Sequence, residues 1–266
     1  MLTKRYLILF ALISAIFCIS CGNKEEAVIP EGPLWKPTGN EGNITGVISF
    51  NGTAPAPRKM DLSQDPACEK LGEAFYDDVV VNDAKLQNVF VYVKSGLPKA
   101  SFEIPAGEVT LDQKGCRYVP RVLGVQTGQI LKIVNSDPTD HNVHPAPKIN
   151  REWNQSQMAG QGPITRKFTK EETLIEVKCN RHPWMTAWLG VLSHPFFAVS
   201  GPDGSFSIKG LPPGEYELEA WHEKYGSKTL KVKVNERADS PADFSFSADT
   251  AYRASSLKIE PAIIIP

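Results

Sequence analysis

The sequence has almost no excess charge of either sign, with 29 basic against 30 acidic residues in a chain of 266. That balance argues against the basic surface that nucleic-acid binding requires, so no nucleic-acid partner is expected. Repeats of fixed period are absent, and low-complexity sequence is confined to a polar stretch near the N-terminus. The length allows one large domain or two small ones.

A long apolar run is also missing. The apolar N-terminal segment from Tyr6 to Ser20, preceded by Lys4 and Arg5, is shorter than the roughly 20 residues that a membrane span needs. A basic start followed by a short apolar run is typical of an export signal that is cleaved. We therefore expect the mature protein to work outside the cytoplasm.

The end of that signal resembles the lipobox of bacterial lipoproteins. Ile19, Ser20 and Cys21 are followed at once by polar residues, although Cys18 stands where an aliphatic residue is usual. The resemblance implies a signal peptide over residues 1–20, lipidation of Cys21, and a proline-containing tether over residues 21–42. The protein would then lie in the periplasm or at the cell surface, anchored to a membrane through its lipid. The alternatives are ordinary signal cleavage and an uncleaved anchor.

Only five cysteines are present, and the pattern divides them among separate roles. Cys18 leaves with the signal, Cys21 takes the lipid, and Cys179 lies among candidate metal ligands. Cys68 and Cys116 remain as a disulfide pair in an oxidising compartment. Closing that loop would stabilise the fold by about 4 kcal/mol on the chain-entropy model. The alternative is two buried free thiols.

Most apolar segments alternate with a period of two, which predicts an all-β fold. The clearest sets that share one face are Val89, Val91 and Val93; Ile175, Val177 and Cys179; and Leu230, Val232 and Val234. One short helix is predicted, with Asp65 as its cap, Pro66 at its first position and Glu69 near its positive end.

Four residues form a candidate metal site. His141 follows a strand-like run, and Cys179, His182 and Met185 share one loop after a second predicted strand. A thiolate and two imidazoles suit both Cu(I) and Cu(II), and a weak thioether tunes the potential, as in blue-copper electron-transfer sites. The alternation places Cys179 on the buried face of its strand.

With its His-Asn pair and its Cys-x-x-His-x-x-Met loop, the segment resembles the plastocyanin and amicyanin branch of the cupredoxins. The two residues between His182 and Met185 resemble the shorter amicyanin loop, whereas the stretch between His141 and Cys179 is unusually long. The resemblance implies a Greek-key cupredoxin sandwich over residues 101–194, with one copper ion held by His141, Cys179, His182 and Met185.

Other residues and metals compete for these roles. His144 is an alternative to His141, but residues three apart on a strand point to opposite faces. A structural zinc site or unrelated core residues would also explain Cys and His, although zinc has no use for a methionine. His194 is expected far from the site, and His222 as a hydrogen-bonded core imidazole.

The C-terminal part has turn motifs of another kind, Asp203-Gly204 and Pro212-Pro213-Gly214. They resemble the transthyretin-like (carboxypeptidase regulatory-like) β-sandwich, whose usual first strands have counterparts before residue 100. We therefore expect the cupredoxin to be inserted into this second sandwich, built from residues 43–100 and 195–248 and followed by a tail over 249–266. Two sandwiches in tandem are the alternative. The combination resembles bacterial exported proteins labelled methylamine-utilisation or plastocyanin-like.

These observations favour an electron carrier that serves redox partner proteins, and not an enzyme, since further His-rich copper sites are lacking. A copper-storage protein and a surface-anchored binding module with a non-redox metal are the alternatives. Pro183, Trp184 and Trp188 are candidates for an apolar docking patch near His182; the alternative is that both tryptophans pack in the core.

Overall fold

The computed structural model describes residues 32–248. The signal peptide, the first half of the tether with the lipidation residue Cys21, and the C-terminal tail lie outside the described residues. Within 32–248 no helix is long and apolar enough to cross a membrane.

The all-β prediction is confirmed, because the described part contains nineteen strands and one helix of four residues. The helix, α1, spans Pro66–Glu69. The strands are β1 (Gly42–Asn51), β2 (Val81–Asn82), β3 (Lys85–Leu86), β4 (Phe90–Ser95), β5 (Val109–Gln113), β6 (Tyr118–Val119), β7 (Val122–Gln126), β8 (Leu131–Asn135), β9 (His141–Ala146), β10 (Gln155–Gln157), β11 (Ile164–Arg166), β12 (Glu172–Lys178), β13 (Thr186–Leu192), β14 (Phe197–Val199), β15 (Ser205–Leu211), β16 (Gly214–His222), β17 (Gly226–Val234), β18 (Asp239–Pro241) and β19 (Phe244–Ser247).

The middle of the chain forms one pair of sheets, which we call the central sandwich. A five-stranded sheet has the order β10-β9-β12-β13-β7, and a four-stranded sheet has the order β11-β8-β5-β6. Parallel pairs join β5 to β8 and β7 to β13, and the remaining pairs are antiparallel. The apolar faces of both sheets meet in one buried cluster.

The first and last strands of the described chain form a second pair of sheets, which we call the outer sandwich. In one sheet, β1 pairs with β15, β3, β18 and β19. The other sheet has the strand order β14-β4-β16-β17. Strands before residue 100 thus pair with strands after residue 194. The domain boundaries themselves stay a prediction.

Strand β4 lies between the two sandwiches, so both of its faces are buried. Val91 and Val93 belong to the outer core, whereas Phe90 and Tyr92 belong to a separate cluster shared with Val122 and Leu192 of the central sandwich. A Cβ at Gly190 of β13 would lie 2.2 Å from the Phe90 ring, so glycine is needed there for the ring to approach the sheet.

One segment before residue 100 packs differently from the expectation. Residues 58–76, here called the cover segment, contribute Met60, Leu62 and Cys68 to the core of the central sandwich. Backbone hydrogen bonds from Met60 to Ala74 (2.8 Å) and from Tyr76 to Arg58 (2.9 Å) close the segment at its base. The regular strands around it belong to the outer sandwich, so the cover segment reaches across to the neighbouring core.

Candidate metal centre

The site forms at one end of the central sandwich, where β9 begins and β12 ends. Ile175, Val177 and Cys179 are buried in one core cluster, which confirms that they share a face. β9 pairs antiparallel with β12, so His141 at the start of β9 lies beside the end of β12. The loop after Cys179 then returns His182 to the same place.

Three donor atoms converge there. Nδ1 of His141 lies 2.8 Å from Nδ1 of His182, and the sulfur of Cys179 lies 3.7 Å from Nδ1 of His182. The ligand atoms of these three residues all lie within 4.8 Å of one another, and each residue is at most 2 % exposed. Sequence reasoning brought together the same three residues.

The donor set fits a metal ion. Two nitrogens bound to one ion at about 2.0 Å stand no more than about 4.0 Å apart, and a nitrogen and a sulfur bound at about 2.0 and 2.3 Å stand no more than about 4.3 Å apart. The N–N separation of 2.8 Å and the N–S separation of 3.7 Å satisfy these limits, and the two imidazoles would move slightly apart when an ion replaces their direct contact. One thiolate with two imidazoles is the trigonal set of blue-copper proteins.

Asn142 holds the loop around the thiol. Its backbone N–H points at the sulfur of Cys179 (3.5 Å), and its side-chain oxygen accepts hydrogen bonds from the backbone of Asn180 (2.7 Å) and Arg181 (3.3 Å). These contacts tie the ligand loop to β9. The His-Asn pair contained the signal for Asn142, but the sequence did not show what its side chain contacts.

Each imidazole also contacts a carboxylate through its outer nitrogen. Nε2 of His141 lies 2.8 Å from Asp137, and Nε2 of His182 lies 3.1 Å from Asp65. Sequence reasoning missed both partners: Asp137 was not singled out, and Asp65 was assigned only to a helix cap. A partner at the outer nitrogen fixes which nitrogen faces the metal.

Hydrogen bonds within the site shift the pKa values of His141 and Cys179. Burial by itself would lower the pKa of His141, but hydrogen bonds with Asp137 and Cys179 outweigh it and raise that pKa to about 9. Burial would likewise raise the pKa of the Cys179 thiol, but hydrogen bonds with His141 and His182 lower it to about 6. The sulfur is therefore a thiolate at neutral pH, the form that binds metals.

Met185 is buried at the end of the same loop. Its backbone N–H donates to His182 (2.9 Å), and its carbonyl accepts from Cys179 (3.3 Å), which closes the loop into a compact turn. The side chain is 1 % exposed and belongs to the core cluster that contains Cys179. Its role as an axial ligand stays a prediction.

The other histidines lie elsewhere. His144 contacts Asn180 (3.1 Å) and Glu152 (2.6 Å) instead of the three donors. His194 is buried and stacked on Phe196, and His222 is buried, stacked on Tyr225 and accepts a hydrogen bond from the backbone of Lys224 (3.1 Å).

The structure joins Cys68 to Cys116 in a disulfide beside the site. Cys68 clusters with Asp65 and His182, and Cys116 clusters with Asp137 and His141, with the candidate donor atoms of each group within 4.8 Å. Both cysteines belong to the core of the central sandwich. The crosslink thus holds the cover segment against both imidazoles.

The idea of a docking patch built on the two tryptophans is wrong for Trp184, which is buried and donates a hydrogen bond to the carbonyl of Cys116 (3.1 Å). Trp188 packs against Trp221 at a ring separation of 5.0 Å. Trp184 is therefore a core residue, as the alternative interpretation expected.

No protein-family model and no curated protein matches this chain. Partial structural similarity is found to a mutant amicyanin in its Cu(I) form, with 22 % identity, a TM-score of 0.29, and coverage of 38 % of this chain and 97 % of that chain. An oxidised amicyanin mutant gives 20 % identity, the same TM-score of 0.29 and the same coverage, 38 % and 97 %. A copper-containing nitrite reductase from Thermus scotoductus SA-01 gives 16 % identity and a TM-score of 0.31, over 54 % of this chain and 28 % of that chain. Similarity at this level identifies no family, so the assignment of the site rests on its own geometry.

Proposed function

We propose that this chain is a cupredoxin-like protein that binds one copper ion and carries single electrons outside the cytoplasm. The convergence of His141, Cys179 and His182 is the observation that carries the proposal. Bound copper would supply a one-electron couple between Cu(I) and Cu(II). The three donors already lie together, and a bound ion would replace the direct contact between the two imidazoles. A thiolate with two imidazoles suits both Cu(I) and Cu(II), so little movement has to accompany electron transfer.

Burial of the site favours a carrier over a catalyst. The three donors are at most 2 % exposed, and two surface clefts in residues 32–248 are lined by other residues. An electron can pass through a packed protein shell, whereas a substrate needs room beside the metal. The expected partners are redox proteins, which would dock over the buried site.

The test is copper loading followed by a redox titration. The loaded protein should bind one copper ion, show an intense visible thiolate-to-copper band, and cycle reversibly through oxidation and reduction. Cys179→Ser should lose the band while remaining folded, because the fold has its own core. Uptake of several Cu(I) ions, or one ion that does not cycle, would instead support the storage or the non-redox binding function.

Membrane attachment through Cys21 is the second part of the proposal, and it rests on the sequence of the signal region. Mass spectrometry of the N-terminal peptide should find Cys21 lipidated, and Cys21→Ser should release the protein from membranes. Glu26→Ser, in the polar stretch after the lipobox, is the control and should remain attached. If Cys21→Ser also stayed on the membrane, lipid anchoring at Cys21 would be contradicted.

A further inference from the structure

Asp65 reaches His182 from a part of the chain 117 residues away. Its Oδ1 caps α1, accepting hydrogen bonds from the backbone of Ala67 (2.7 Å) and Cys68 (3.3 Å). Its Oδ2 lies 3.1 Å from Nε2 of His182 and accepts a hydrogen bond from Thr139 (2.8 Å). Both oxygens have fixed partners, so the orientation of the carboxylate is set.

The hydrogen bond with His182 determines which nitrogen of that ring faces the site. Nδ1 points at His141 and Cys179 and must be unprotonated to bind a metal, so Nε2 carries the proton and donates a hydrogen bond to Asp65. Besides His182, the carboxyl group accepts hydrogen bonds from Thr139 and from the backbone of Ala67 and Cys68. Several donors around one carboxyl group stabilise its anionic form.

The cover segment is fastened where this contact is made. Cys68, three residues after Asp65, is bonded to Cys116. The backbone N–H of Cys116 in turn donates to Asp137, the partner of His141, at 2.8 Å. One crosslink therefore holds the elements that carry both carboxylates. The side chain of His182 is 3 % exposed, so without Asp65 its Nε2 proton would lack a partner in a nearly dry place.

We propose that Asp65 is a positioning residue of the copper site, which orients His182 and lowers the reduction potential of the bound metal. The inference rests on the proposed copper function. A fixed negative charge behind the imidazole strengthens its donation to the metal, and it stabilises the more positive Cu(II) state over Cu(I). The cover segment therefore acts on the electronic properties of the site as well as excluding water.

The test compares full-length, copper-loaded variants by voltammetry and by competitive metal titration. Asp65→Asn and Asp65→Ser both remove the charge and keep a residue that caps helices well. If one variant fails to fold, the other still tests the proposal. Both should weaken Cu(II) binding by about 10- to 100-fold, the usual cost of losing such a partner. If Cu(I) affinity falls tenfold less than Cu(II) affinity, the potential rises by about 59 mV.

Asp61→Asn is the matched control, because Asp61 is an exposed carboxylate of the same segment and accepts its hydrogen bonds from Ser63. It makes the same change in net charge without touching His182 and should leave the affinity and potential near the parent values. Equal potentials and affinities for the Asp65 variants and the Asp61 variant would overturn this inference alone. A parent protein without a thiolate-to-copper band would overturn the proposed function, and this inference with it.

Discussion

Replacement of Asp137 tests how the other imidazole is held. Its Oδ1 accepts a hydrogen bond from Gly115 (2.6 Å), and its Oδ2 accepts from Cys116 (2.8 Å) and lies 2.8 Å from Nε2 of His141. The residue is 7 % exposed, so water does not readily replace it. Asp137→Ala removes the acceptor of three donors, of which those of Cys116 and His141 are buried. Asp137→Asn keeps one acceptor oxygen, but its NH₂ group cannot accept a hydrogen bond from the remaining donors.

The cost follows from those contacts. A buried donor left without a partner costs about 1–3 kcal/mol, so Asp137→Ala should lower the free energy of unfolding of the metal-free protein by about 3 kcal/mol or more. Asp137→Asn should cost less stability. Both variants should lose about 10- to 100-fold in copper affinity, equal to about 1.4–2.8 kcal/mol, because His141 is no longer oriented.

Urea denaturation of the metal-free variants and competitive copper titration measure the two effects separately. Asp140→Asn is the matched control, since Asp140 precedes His141 in sequence but accepts its hydrogen bond from Ala159 (2.9 Å). It should keep the copper affinity of the parent. Parent-like copper affinity in Asp137→Asn would refute the reasoning that this carboxylate positions the ligand.

Three further predictions concern single side chains. Met185→Leu should keep copper bound but raise the reduction potential, and Met185→Gln should lower it; unchanged potentials and spectra by voltammetry and absorption would make Met185 a packing residue. In the metal-free protein, the ultraviolet thiolate absorbance should disappear on acidification with a midpoint near pH 6, the lowered pKa of Cys179, and Cys179→Ser should lack it throughout. Burial lowers the pKa of His222 to about 3, so its contribution to stability is present above its unfolded pKa of about 6.5 and is lost as pH falls toward 3. Urea midpoints of His222→Phe should therefore fall less steeply over that range, and a slope equal to the parent's would contradict the assignment.

Local patterns predicted much of this molecule. Asp65 and Pro66 marked the only helix of residues 32–248, and period-two alternation predicted the strand that carries Cys179 into the core. The spacing of Cys179 and His182 likewise indicated a shared loop. Each of these features is decided by residues close together in the chain, where side-chain direction follows from backbone geometry.

The remainder depends on contacts between distant parts of the chain. Asp65 has the features of a helix cap, and no local pattern shows that its second oxygen meets His182 from the cover segment. Strand β4 is a second case that local patterns predict only in part. Val91 and Val93 share a face as predicted, but the opposite face is buried by the central sandwich. Contacts between segments that are far apart in the chain, which alternation cannot reveal, decide both cases.

The most direct test of the copper site is the visible absorption spectrum of the copper-loaded protein during a reductive and oxidative cycle. We predict one copper ion per chain and an intense thiolate-to-copper band that vanishes on reduction, returns on oxidation, and is absent from Cys179→Ser. A loaded protein without that band, or a band that persists in Cys179→Ser, would contradict the assignment of His141, Cys179 and His182 as a copper site that carries electrons.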